Sequence, residues 1–222
     1  MIRSLLVLTA LVTAPFAALA HMVYVVPGAD GKAIVVVFSD TLDPDTKVTT
    51  DKLAGLKLTG HTADGKSVAI EAKREPHQFT ATLPAGTAVV SGDVIYGLMT
   101  KSEKPTLLVY HPKAVTGGAT GAKTTVGESA ALEVVPVTEG GKTRFRLLAK
   151  GKPVAGSEGN VLLPDGKKEK VTTDKEGYTG AFEGSGRFAA WFRHAETRAG
   201  EHDGKKFEEV RHYATLVADI AK

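Results

Sequence analysis

Short apolar runs recur along the chain at close intervals. They are MVYVVP, AIVVVF, FTATL, DVIYGLM and TLLVY in the first half, then ALEVVPV, TRFRLLA, NVLLP, RFAAWFRH and HYATLV in the second. Turn-forming pieces such as ADG, PDG, DKEG and GSG stand between them. Runs of this length, rich in β-branched residues and bounded by glycine and aspartate, predict strands, and their spacing predicts an all-β sandwich architecture. Only DTKVTTDKLAG, after Pro44, has a pattern compatible with a helical turn.

The pattern breaks at Thr116–Glu128, TGGATGAKTTVGE, which is small, polar and without apolar periodicity. The expected organisation is therefore two tandem β-sandwiches. An N-terminal domain covers 21–114, a linker 115–128 and a C-terminal domain 129–222, each half being about the length of an immunoglobulin-like sandwich. Residues 1–20 read as a leader. Arg3 supplies a positive start, Leu5–Ala14 is a short apolar stretch, and Ala18-Leu19-Ala20 is an A-x-A cleavage signature. The expectation is an exported protein, periplasmic or secreted, not membrane-embedded, whose first residue after cleavage is His21.

Composition narrows the chemistry. There is no cysteine, which removes disulfides, thiolate nucleophiles and cysteine zinc sites. The 28 basic and 25 acidic residues nearly balance and form no basic stripe, so a nucleic-acid partner is not expected. No G-x-S-x-G elbow is present, and GGATGAKT lacks the order of a phosphate-binding loop.

Seven histidines are the main chemical resource. His61, His77 and His202 lie in turn-like stretches and read as surface residues. His111 ends a strand before Pro112 and reads as a strand cap or an extra ligand. His194 and His212 are different. If Arg187–His194 and His212–Ala218 form an antiparallel hairpin with His194 opposite His212, then Phe192 faces Ala214, Ala190 faces Leu216 and Phe188 faces Ala218. All lie on one apolar face, because side chains alternate along a strand. Two imidazoles so paired are about 5 Å apart at Cβ, within reach of one metal ion. Glu196, Glu201, Asp203, Glu208 and Glu209 surround the same hairpin, whereas Arg193 and Arg211 should point to the other face and pair with carboxylates. A trimmed His21 would add an imidazole and a free amine in one residue, a chelate suited to later first-row divalent ions.

Several stretches resemble the DUF4198 family of exported proteins, associated with nickel or cobalt uptake. They are ALAHMVYVVP, VIYGLMTKSEKPTLLVYHPKA, GKPVAGSEGNVLLPDGKKEKVTTDKEG and FRHAETRAGEHDGKKFEEVRHYATLV. The run from Gly151 to Phe192 also resembles transthyretin-like domains. The resemblance implies a non-catalytic role in handling nickel or cobalt, with copper or zinc as other ions. It also implies a membrane uptake component as partner. The positions carried over are His21, His194, Glu196, Glu209, His212 and Tyr213. Two other readings stay open: a structural, adhesive or carbohydrate-binding tandem sandwich, and a copper oxygenase of the histidine-brace type.

Overall fold

The computed structural model describes residues 21–100, 103–116 and 121–221. The expected leader, 1–20, and part of the expected linker, 117–120, lie outside the described residues. The fold is all-β. In the first half the strands are β1 (Met22–Pro27), β2 (Ala33–Ser39), β3 (Lys57–Thr62), β4 (Ser67–Ile70), β5 (Lys73–Arg74), β6 (Gln78–Thr82), β7 (Thr87–Met99) and β8 (Thr106–Val115). In the second half they are β9 (Glu133–Glu139), β10 (Lys142–Ala149), β11 (Lys152–Pro153), β12 (Glu158–Leu162), β13 (Lys168–Thr172), β14 (Phe182–Glu183), β15 (Gly186–His202) and β16 (Lys205–Ile220). The candidate helical stretch yields a single 3-10 turn, Asp51–Leu53, which seats Leu53 in the core.

The strands form three sheets. The largest has eight strands in the order β13-β12-β15-β16-β8-β7-β3-β4, and β1-β2-β6-β5 form a second. The third runs β11-β10-β14 with β9 paired to β10. The large sheet is the middle layer. Alternation along β8 turns Tyr110 and Ala114 into one core and Val115 into another. In β16, Val217 joins the first core while Ala214, Leu216 and Ala218 join the second. The first core is closed by Val23, Val25, Ile34 and Val36 of the β1–β2 sheet, the second by Val134, Phe145 and Leu147 of the β9–β10 sheet.

The expected boundary at 115–128 does not separate two closed sandwiches. Strands from both halves make one sheet, joined where β8 and β16 pair in parallel from Thr106 opposite Glu209 to Val115 opposite Ala218. The chain around 121–129 carries the backbone from that middle layer to the outer β9–β10 sheet.

The closing hairpin has the register that its apolar alternation predicts. His194 is opposite His212, Phe192 opposite Ala214, Ala190 opposite Leu216 and Phe188 opposite Ala218. Its two-residue turn has Asp203 at φ 50° and Gly204 at φ 72°, the paired left-handed conformation that lets strands continue with their natural twist. An irregularity between Thr197 and Gly200 sits over Phe207, whose ring would lie 2.4 Å from a Cβ at Gly200. Any side chain at Gly200 would have to displace that ring.

Candidate functional site: imidazoles on two faces of one sheet

On the face of the large sheet that carries the second core, alternation lines up a row of polar side chains. It comprises His61 of β3, Ser91 and Asp93 of β7, His111 and Lys113 of β8, His212 of β16, and His194 and Glu196 of β15. Four of them make a continuous chain. His111 Nδ1 donates to Asp93 Oδ1 at 2.6 Å, His111 Nε2 and His212 Nδ1 are 2.8 Å apart, and His212 Nε2 is 3.3 Å from Glu196 Oε2. The two rings are stacked, with centroids 5.1 Å apart and planes at 24°. Both are buried, His111 at 5 % exposure and His212 at 8 %. Burial, then the neighbouring His111, pushes His212 down to about 4, against the opposing pull of Glu196.

Beside this chain lies a cleft of about 270 Å³, lined in part by His61, Ser67, Ser91, Asp93, His111 and Lys113. His61 is held between two hydroxyls, Ser67 at 3.1 Å from Nδ1 and Ser91 at 2.8 Å from Nε2. Burial lowers its affinity for a proton, with the Lys113 ammonium acting in the same sense. At the base of the cleft Lys113 pairs with Glu133, both at 2 % exposure. Glu133 also accepts from the backbone N–H groups of Val126 at 3.0 Å and Gly127 at 2.8 Å. Burial drives the Lys113 ammonium towards losing its proton, and the Glu133 carboxylate opposes that loss.

His21 is on the other face. Tyr110 Oη donates to the His21 carbonyl at 3.5 Å, and Tyr110, next to His111 in the strand, must point away from it. The His21 ring lies 5.4 Å from the Phe38 ring, at the edge of an aromatic group that includes Tyr96, Tyr110 and Tyr213. Its nitrogens meet two different carboxylates: Nδ1 is 3.5 Å from Asp40 Oδ1, and Nε2 is 2.8 Å from Asp45 Oδ2. The bond from His21, then the Lys47 backbone N–H, holds Asp45 below the usual carboxylate range. All three side chains are about a quarter exposed, at 24 %, 20 % and 27 % for His21, Asp40 and Asp45.

The five expected metal ligands therefore do not converge. His212 and Glu196 meet, and His194 is in register with His212. His21 is separated from them by the thickness of the sheet. Glu209 sits at an odd position of β16, on the face opposite His212, and pairs with Arg211 at 2.8 Å. Arg193 pairs with Glu158 at 2.6 Å, as its outward position predicts. Among the described residues, no three His, Asp or Glu side chains surround one point as a metal site.

Sequence reasoning missed Asp40, Asp45, Asp93 and the Lys113–Glu133 pair. Asp40 and Asp45 had a readable signal: the DTLDPD stretch directly follows the strand that pairs with β1, which places it beside residue 21.

No family model matches the chain, and no curated protein matches it. Among solved structures it is similar to one described as "Structural insight into host cell surface retention of a 1.5-MDa bacterial ice-binding adhesin". The identity is 10%, the TM-score 0.26, and the match covers 90% of this chain. The chain spans 64% of that structure's length, and a likeness of this degree carries no functional argument.

Proposed function

We propose that the protein is exported, trimmed after Ala20, and then binds a divalent transition-metal ion, nickel or cobalt, for delivery to an uptake system without catalysing a reaction. The observation that carries this reading is the position of His21 between Asp40 and Asp45. Metal-bound histidines characteristically give their second ring N–H to a carboxylate, which fixes the tautomer and raises ligand basicity. Asp45 stands where that partner belongs, leaving Nδ1 to face Asp40. Cleavage would add an α-amine on the same residue. Its ordinary pKa of about 7.7–8.0 lets a metal displace the proton near neutrality. Amine, imidazole and carboxylate together form a nitrogen-rich donor set suited to later first-row divalent ions, nickel and cobalt as well as copper and zinc. The resemblance at ALAHMVYVVP points to the same class of ion.

The test is calorimetric titration with nickel, cobalt, copper and zinc of a chain beginning at His21 and of one retaining Ala20. Blocking the amine is expected to remove most of the affinity, and Asp45→Asn to weaken binding by about 10–100-fold. Equal affinity with and without Ala20, or no binding tighter than about millimolar for any ion, would overturn the reading.

A further inference from the structure

On the first-core face of the large sheet, β1 is the edge strand of the covering sheet and stands over β16, where Thr215 donates to the Val23 carbonyl at 2.6 Å. Trp191 of β15 is the cross-strand partner of Thr215, so it lies one strand further out. Ala189 still closes the first core, whereas Trp191, two residues along, is only partly buried against it. The register supplies its neighbours. Asn160 of β12 is opposite Trp191, Lys170 of β13 is opposite Asn160, and Thr172 is opposite Glu158 in the next row. Directly opposed residues share a face, and these side chains together line a cleft of about 290 Å³.

The polar groups of this cleft are unengaged, which sets them apart from their surroundings. On the same face Arg193 pairs with Glu158 at 2.6 Å and Arg187 with Asp219 at 2.7 Å. Among the described residues, the Trp191 indole N–H, the Asn160 amide, the Lys170 ammonium and the Thr172 hydroxyl have no side-chain hydrogen bond or ion pair. The cleft therefore offers one aromatic surface ringed by free donors and acceptors, the composition of a small-molecule site in which a few polar groups fix orientation. Its size is near the low end of the roughly 300–1,000 Å³ such sites occupy, room for a single ring.

A ligand that satisfies this set needs a flat apolar face for the indole and an edge of hydroxyls for the amide and the threonine. A pyranose ring has both. Its C–H bonds project from one face towards the electron-rich face of an aromatic ring, and its hydroxyls surround the edge. Lys170 adds a preference of charge. Glu158, the carboxylate among the lining residues, is already neutralised by Arg193, so the Lys170 ammonium faces the bound ring without an acidic partner of its own. We infer that this cleft binds an acidic sugar, a uronic acid residue stacked on Trp191 with its carboxylate towards Lys170. None of these residues belongs to the His21 site, so a failure of metal binding leaves the cleft untouched.

Trp191 is the single tryptophan of the chain, so its fluorescence and its one indole N–H resonance both report on this cleft. The experiment titrates the full ¹⁵N-labelled chain with glucuronate, an oligouronate, glucose and acetate while following both signals. The expected result is a saturable change with glucuronate, half complete near about 1 mM, a weaker response to glucose and none to acetate. Tighter binding of the oligouronate would place the bound residue within a polymer, and equal binding would make it a free sugar or a chain end. Lys170→Gln should weaken glucuronate about three- to fivefold and leave glucose unchanged, and Lys205→Gln, at the hairpin tip, should change neither. No saturable change by about 10 mM, a response to acetate equal to that for glucuronate, or wild-type affinity in Lys170→Gln would overturn the inference. Lys170 is an exposed residue of an edge strand, so its replacement leaves the core intact.

Discussion

On β8, Tyr110 and His111 are neighbours in the chain and belong to opposite environments. The face shared by Tyr110 and His21 holds an imidazole about a quarter exposed, between two carboxylates that water also reaches. The face shared by His111 and His212 holds two buried imidazoles whose ring nitrogens are all engaged. The same side-chain type is therefore partly open to water on one face and committed to buried hydrogen bonds on the other. Ion pairs repeat the contrast. Arg187 and Asp219, on the His21 face, make a bidentate pair at 33 % and 54 % exposure, whereas Lys113 and Glu133, on the other, are both at 2 %. Burial, more than residue type, decides what each group does.

The sharpest way to break the comparison is at the buried pair. Glu133→Ala leaves the Lys113 ammonium in the core without its carboxylate and two backbone N–H groups without an acceptor. The expected loss of stability is about 3–5 kcal/mol, because an uncompensated buried charge is costly. Urea denaturation at neutral pH measures it, and a loss under about 1 kcal/mol would mean that water reaches the pair.

A smaller effect is expected from His212. Its imidazole binds a proton less readily in the fold than in the unfolded chain, so acid favours unfolding. Its contribution is complete above the ordinary value of 6.5 and is lost as pH falls through about 4. A depression of that size corresponds to roughly 3 kcal/mol at most. Carboxylates also lose stability in acid, so the reading is the difference between the wild-type and His212→Gln denaturation curves over that window. Curves that stay parallel would show that His212 is not the group responsible.

The difference between the faces was only half legible in the sequence. The alternations along the two strands are local, and they sufficed to place His194 opposite His212 and to send Arg193 and Arg211 outward. They also imply that Glu209 and His212, three residues apart on one strand, face opposite ways, a consequence that the expected ligand set overlooked. The parallel pairing of β8 with β16 has no local signature, because two strands about a hundred residues apart are matched by how whole layers pack. Without that pairing His111 reads as a strand end, and nothing indicates that its ring meets His212. The same gap hid the separation of His21 from the hairpin. Residue types suggested one cluster of imidazoles, and only the layer order shows that a sheet runs between them.

The smallest expected effect is on the exposed ion pair, and it tests the comparison from the other side. Arg187 Nε and Nη2 bond to the two oxygens of Asp219 at 2.9 Å and 2.7 Å, a better geometry than most surface pairs achieve. Asp219→Asn keeps the shape and one acceptor while removing the charge. Water already solvates both groups, so the expected loss is about 0.5 kcal/mol, and it should shrink further in high salt. Denaturation at low and high ionic strength reads both numbers. A salt-independent loss as large as that of Glu133→Ala would mean that geometry rather than burial sets the strength of these pairs, and the contrast between the two faces would fail.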